Sequence, residues 1–493
     1  MLSGYQSNSR MAFMNSEKLE QARKYETEYL KNADESDRPM LHATGTVGWI
    51  NDPNGFSMYR GEYHLFYQYH PYTTFWGPMH WGHIKTKDFI KWDRLPVAIA
   101  PDTDYDEKGC FSGSALELED GRQLLMYTGV HFDEHQQQCI AFGDGVNYEK
   151  YKGNPVIPTD AIPEGHHLID FRDPKIYQKD NRFYMVAGSR TEDGSGSIVL
   201  YESENLKNWN YLGILDRSDN LLGKMWECPD YFELDGKQVI ITSPQDMIPL
   251  DAKWHSGNQT LVLIGTGDGK ANFRRQSAEP IDFGMDFYAP QTLLTKDGRR
   301  IMIAWMQSWD TCNVGHENRD WFGQMSLPRE LSIVNGKLYQ SPVRELEQYY
   351  TDSVEKSALY LENEKSESFD LGLVYDMTLN IRPKKEMLRF ALHIGEQGPY
   401  KTTLTYDAIT QSITVDRSLN AIRREIPTHR SFGVESLNKL RIIKDINSME
   451  LFVNDGAQTC SMMLAEPDGK LTVSMEVVGA VECDLISHNI QVN

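Results

Sequence analysis

Short strand-like runs, each opened by a Gly- or Asn-bearing turn, recur along the chain at a nearly constant interval. They read Gly61-Glu-Tyr-His-Leu-Phe-Tyr-Gln, Gly121-Arg-Gln-Leu-Leu-Met-Tyr-Thr, Asn181-Arg-Phe-Tyr-Met-Val-Ala-Gly, Gly236-Lys-Gln-Val-Ile-Ile-Thr-Ser and Asp297-Gly298-Arg-Arg-Ile-Met-Ile-Ala-Trp. Measured from Gly61, Gly121, Asn181, Gly236 and Gly298, the steps are 60, 60, 55 and 62 residues. Several short strands per unit at this period predict an all-β fold, a five-bladed β-propeller over residues 38–347. A second series, Trp92, Tyr148, Trp209 and Phe273, follows polar turns at steps of 56, 61 and 64 residues. These aromatics are expected to pack blade against blade.

The flanks differ in pattern. Residues 15–32 hold good helix formers without Gly or Pro, so 1–37 is expected to be a tail, disordered through about Ser9, followed by a short leader helix. The charged stretch beginning at Arg344 has helix-forming character, and 348–362 is expected to be a linker. Beyond it, alternation in Tyr375-Asp-Met-Thr-Leu-Asn-Ile and Met449-Glu-Leu-Phe-Val, with a turn at Asn454-Asp-Gly456, predicts a β-sandwich over 363–493. No catalytic constellation is visible in that last part.

The 493 residues carry 50 basic and 71 acidic side chains, a net charge of −21. That balance argues against nucleic acid or an anionic membrane as partner. The first 30 residues lack the apolar core of a signal peptide, and no run approaches the roughly 18 apolar residues of a membrane span. Six scattered cysteines read as free thiols, so the expected location is cytoplasmic. No cofactor and no metal is expected. Asp102-Thr-Asp-Tyr-Asp106 lacks the Gly and Glu of a calcium loop. Gly265-Thr-Gly-Asp-Gly-Lys270 has the wrong spacing for a phosphate loop. His80 and His83 are three apart in a strand-rich stretch and should not share a face. Oligomeric state leaves no trace in the sequence.

Chemistry enters through the repeat phase. Asp52, Asp173 and Glu227 lie eight or nine residues before their turns. Equivalent positions in a radial repeat converge on one rim of the channel, and carboxylates flanking a small pocket are what glycoside cleavage needs. Ser112 and the Tyr288-Ala289 pair take the same phase in the second and fifth repeats. Arg172, beside Asp173, supplies a planar donor fork that keeps its neighbour charged.

Trp49-Ile-Asn-Asp-Pro-Asn-Gly55 resembles the opening signature of the family-32 glycoside hydrolases, which include invertases, sucrose-6-phosphate hydrolases and fructan hydrolases. Phe66-Tyr-Gln-Tyr-His-Pro71, Phe111-Ser-Gly-Ser114, Phe171-Arg-Asp-Pro174, Trp226-Glu-Cys-Pro-Asp230, Asp286-Phe-Tyr-Ala-Pro-Gln291, Pro328-Arg-Glu-Leu331 and Glu450-Leu-Phe-Val-Asn-Asp-Gly456 follow in that family's order. The resemblance implies a propeller joined to a sandwich and retaining hydrolysis of a terminal β-fructofuranosyl bond, in sucrose or sucrose 6-phosphate. It implies Asp52 as nucleophile, Glu227 as acid and base, and Asp173 as transition-state stabiliser. As saccharide contacts it nominates Asn51, Gln68 and Ser112 for hydrogen bonds and Trp49, Trp76 and Phe111 as walls. Arg172, Tyr288 and Trp305 join them. Short fructo-oligosaccharides as substrates, transfer of fructose to a sugar hydroxyl, and a catalytically silent carbohydrate-binding propeller stay open.

Overall fold

The computed structural model describes residues 16–312, 319–366, 368–395, 401–420, 425–465 and 472–492. Five four-stranded antiparallel sheets succeed one another along the chain. Their first strands are Gly48–Tyr59, Gly109–Glu117, His166–Lys179, Trp226–Leu234 and Tyr288–Leu294, and neighbouring first strands touch around the ring. The repeated turns link first to second strands. At Arg60-Gly61, Asp180-Asn181 and Asp235-Gly236 both central residues have positive φ, the geometry whose twist suits a two-residue hairpin. A short strand from the fifth repeat, Trp321–Phe322, runs parallel beside Gly48-Trp49 and closes the ring. The fold is thus a five-bladed propeller followed by a sandwich.

The second aromatic series does pack between blades. Tyr148 belongs to the apolar cluster joining the first two blades, and Trp209 and Phe273 pack on the next two clusters. The leader helix runs Glu17–Leu30, within the expected 15–32. The Ser16 side chain accepts from the Leu19 amide at 3.2 Å to cap it. Leu19 and Ala22 are buried, and Arg23 donates to the Val97 carbonyl on the first blade. The expected disorder through Ser9 lies outside the described residues. Asp102 and Asp106 both grip the Lys150 ammonium, at 2.5 and 2.6 Å, so they form an ion-pair cluster. Gly265–Gly267 end the third strand of the fourth blade, and Asp268–Lys270 open the turn to its outermost strand.

In the sandwich, Tyr375–Ile394 and Thr472–Ile490 pair along most of their lengths over a core including Met377, Leu379, Phe390, Leu392, Met475 and Leu485. The expected linker at 348–362 is corrected here. Residues Arg344–Tyr349 form a 3-10 turn, and Tyr350–Glu362 is a strand paired with Ala480–Ile490. Edge pairing and the inward apolar residues Val354, Leu359 and Leu361 override the helical composition.

A buried charge network ties the sandwich to the propeller. Arg329 donates to Glu450 from Nε at 2.9 Å and to Asp282 from Nη1 at 3.0 Å. His42 contacts Asp445 at 2.7 Å and Glu450 at 2.9 Å. Burial opposes the imidazolium, but the two carboxylates outweigh it and lift its pKa from 6.5 to about 9. Burial likewise opposes the Glu450 charge, yet Arg329 and His42 hold it at about 2. A raised histidine pKa stabilises the fold fully below 6.5 and stops doing so as pH climbs through about 9. The shift is worth of order 3 kcal/mol. Thermal unfolding of wild type and His42→Gln should therefore differ most below pH 6.5 and converge toward pH 9 and above. A gap that stays constant with pH would refute the charged-histidine account.

Candidate active site

The site is built by one irregularity repeated five times. Each first strand carries a bulge against its second strand at the same end, at Asn51-Asp52, Ser112, Asp173-Pro174, Cys228-Pro229 and Ala289-Pro290. Proline suits these positions because a bulge leaves a ladder donor unneeded. Asp173, Cys228 and Ala289 sit at φ of 64°, 48° and 52°, strain of the kind that collects at functional sites.

Register refines the expected common phase of the carboxylates. Arg172, Glu227 and Tyr288 each hold the last paired position before the bulge of their strand. Glu227 is therefore equivalent to Arg172 and Tyr288, one residue ahead of Asp173. The three form a chain across neighbouring blades. Arg172 donates to Glu227 Oε1 from Nε at 3.1 Å and Nη2 at 2.9 Å. The Tyr288 hydroxyl lies 2.6 Å from Glu227 Oε2 and 2.9 Å from the Ser243 carbonyl. Its single hydrogen thus has two acceptors.

Residues within the bulges make a second ring. Ser112 Oγ donates to Asp52 Oδ2 at 2.7 Å, and the Cys228 thiol lies 3.5 Å from the same oxygen. The Cys228 amide donates to Asp173 Oδ2 at 2.9 Å. Asp52 Oδ1 is buried and has no hydrogen-bond partner. Burial, then the neighbouring Glu227 charge, lift the Asp52 carboxyl to about 6, against the hydrogen bonds from Ser112 and Cys228. Asp173 is also raised: burial leads, Glu227 and Asp52 add to it, and Arg172 opposes. Burial works against the Arg172 charge, but Glu227, Asp173 and Asp170 outweigh it. Buried carboxylates with separated environments are the arrangement acid–base chemistry requires.

A cavity of about 280 Å³ opens above these rings. Of the expected saccharide contacts, Asn51, Gln68, Trp76, Phe111, Ser112 and Arg172 line it. Trp76, 49% exposed, meets Phe111 edge to face and leaves a ring open to a ligand. The other three stand behind the wall instead of on it. Trp49 donates from Nε1 to Asn51 Oδ1 at 2.8 Å, fixing that amide. Trp305 packs against Trp49 and Trp309. Tyr288 is fully buried against Glu227. Gln136, Ile169, Asp170 and Trp309 also line the cavity, outside the contacts expected from the sequence. Asp170 accepts from Arg172 at 2.8 Å and from Arg190 at 2.5 Å. Its place two residues before Arg172, alternating on one strand, is the signal that could have found it. Gln136 and Trp309 lie off the inner strands and carry no repeat signature.

Carboxylates converging at one mouth of a propeller, above a pocket of polar and aromatic walls, define a glycosidase-type centre. Residues 42–342 match the glycosyl hydrolases family 32 N-terminal domain and 345–481 the family 32 C-terminal domain. The chain belongs to glycoside hydrolase family 32. It is 36% identical to a sucrose-6-phosphate hydrolase of Zymomonas mobilis, over 85% of this chain and 84% of that one. A raffinose invertase of Escherichia coli is 35% identical over 86% and 88%. Among solved structures, the family 32 β-fructofuranosidase of Bombyx mori superposes with a TM-score of 0.84 at 33% identity, covering 96% of this chain and 98% of that one. A variant of that enzyme in complex with sucrose gives 0.85 at 32% identity, covering 97% and 99%. Among the described residues no helix is long and apolar enough to cross a membrane.

Proposed function

We propose that the protein is a retaining β-fructofuranosidase that cleaves sucrose through a fructosyl-enzyme. The observation that carries the reading is the unpartnered Asp52 Oδ1, buried at the floor of the cavity while Oδ2 is held by Ser112 and Cys228. In the first step Oδ1 attacks the anomeric carbon of fructose, and Glu227 gives its proton to the departing glucosyl oxygen. In the second, Glu227 takes a proton from water, which attacks the same carbon and frees Asp52. Tyr288 can follow Glu227 through both states: it donates to the ionised carboxylate, and turns to Ser243 when the carboxyl is protonated. Asp173, anchored by the Cys228 amide, grips fructose hydroxyls and balances positive charge at the reacting carbon.

The cavity lining also bears on the leaving group. It holds the four carboxylates Asp52, Asp170, Asp173 and Glu227 and one cation, Arg172, which is already engaged by Asp170 and Glu227. A phosphate dianion there meets like charge, so neutral sucrose is the better fit. Fructose release should proceed from sucrose with a kcat/KM at least equal to that from sucrose 6-phosphate, and the first-formed product should be the β anomer by NMR. A tenfold or greater preference for the phosphorylated sugar would overturn the substrate assignment. Initial release of the α anomer would overturn the double displacement. The Trp76 and Trp309 faces at the rim leave room for a longer saccharide on the same machinery.

A further inference from the structure

The opposite mouth of the propeller channel holds a second cavity, of about 490 Å³, lined by the first strands of all five blades. None of the residues discussed above as catalytic or sugar-binding touches it. Its polar floor is Lys175, Asp230, Thr292 and Arg300. Asp230 Oδ2 accepts from the Thr292 amide at 2.7 Å, from the Thr292 hydroxyl at 2.9 Å and from the Lys175 ammonium at 3.0 Å. Lys175 also donates to the Thr292 carbonyl at 2.8 Å, which uses two of the three ammonium donors. The Arg300 guanidinium lies 4.5 Å from the Phe232 ring centre and makes one long contact, 3.4 Å, to the Thr292 hydroxyl.

Two floor atoms are buried without any partner: the donor Arg300 Nε and the acceptor Asp230 Oδ1. Groups left so cost a fold free energy unless something meets them. The charge count leans the same way, since Asp230 is the only carboxylate on the floor facing two cations. Burial lowers both the Lys175 and the Arg300 pKa despite Asp230, so the carboxylate under-compensates them. Glu117 and Glu233 also line the cavity, but as exposed residues in water, where their charges are screened.

We propose that this far mouth is a binding site for a small sugar monophosphate, separate from the active site. The phosphate takes the Arg300 fork and the free Lys175 donor, the pairing for which guanidinium geometry is suited. A sugar hydroxyl then donates to Asp230 Oδ1, and the ring lies along the apolar wall. Neither half alone satisfies both orphaned atoms. A neutral hexose leaves Arg300 unmet, and inorganic phosphate leaves Asp230 unmet. The proposal does not rest on the fructosidase reading, because the two mouths share no residue.

Isothermal titration with glucose 6-phosphate, inorganic phosphate and glucose tests it on the full-length protein, in a phosphate-free buffer. To keep active-site binding out of the signal, titrations are repeated with the active site blocked by saturating fructose. Glucose 6-phosphate should bind most tightly, inorganic phosphate at least tenfold more weakly, and glucose undetectably. Arg300→Gln should weaken glucose 6-phosphate at least tenfold while leaving fructose release from sucrose unchanged. Asp230→Asn, which keeps the shape of the floor, should weaken glucose 6-phosphate but not inorganic phosphate. No binding of glucose 6-phosphate by wild type, or equal binding by wild type and Arg300→Gln, overturns the proposal. So does glucose binding as tightly as its phosphate.

Discussion

Asp52→Asn should lower fructose release from sucrose by at least about 10³-fold and leave a folded, sugar-binding protein. The amide is nearly isosteric with the carboxylate, and its oxygen can still accept from Ser112, so the bulge and the cavity keep their shape. What it loses is the anionic Oδ1 that no hydrogen bond restrains. The same substitution should raise stability near neutral pH. The Asp52 carboxyl titrates near 6 in the fold against 3.8 as its ordinary value. A group whose folded pKa is raised favours the folded state at low pH and disfavours it above the folded pKa. Removing its charge should therefore add up to about 3 kcal/mol above pH 6 and nothing below pH 3.8. The wild-type rate should correspondingly fall as pH drops through about 6, as the nucleophile takes up a proton. Steady-state rates and thermal unfolding of both proteins across pH 4–8 check all three points. Turnover within tenfold of wild type would remove Asp52 from the nucleophile's role. Lost activity with lowered stability at pH 7 would make the residue structural.

The site's outline is legible in the sequence and its wiring is not. The repeat turns locate each inner strand. The second bulge, at Ser112, has no proline, but Asp52-Pro53, Asp173-Pro174, Cys228-Pro229 and Ala289-Pro290 mark the other four, because proline is read locally. Hence Asp52, Asp173 and the neighbourhood of Glu227 stand out. Their division into two rings does not. A one-residue difference in phase sends a side chain to the other face of a strand, and counts of eight or nine residues from a turn cannot resolve it. Tyr288 shows the consequence: by phase it is a pocket lining, by register the hydroxyl behind Glu227.

Distance along the chain hides the rest. Arg329 and Glu450 belong to two separate motifs of the sequence, 121 residues apart, and meet as one buried pair at the seam between propeller and sandwich. Their roles could be read only once the fold had joined them. The stretch after Arg344 fails for a related reason. Its composition favours helix, but its partner strand, Thr472–Ile490, lies over a hundred residues downstream, and pairing with it decides the outcome. Composition bounds charge and class; it carries no register.

For Glu227→Gln, the size of the defect should depend on the leaving group. Glutamine keeps the carbonyl oxygen that accepts from Arg172, and its amide can donate to Tyr288, whose hydrogen then turns to Ser243. The chain Arg172–Glu227–Tyr288 thus survives in outline, and only the exchangeable proton is lost. On sucrose, whose glucosyl oxygen departs poorly without protonation, the rate should fall by about 10²–10⁴-fold, the usual contribution of a general acid. On a fructosyl fluoride the first step needs no proton, so Asp52 should still be fructosylated at near wild-type speed. The second step then stalls for want of a base, giving a burst of fluoride followed by slow turnover, with the covalent intermediate visible by mass spectrometry. Azide, a nucleophile that needs no deprotonation, should capture that intermediate as β-fructosyl azide and restore turnover. An equal loss on sucrose and on the fluoride, with no burst and no azide effect, would show that Glu227 holds the site together instead of moving its proton.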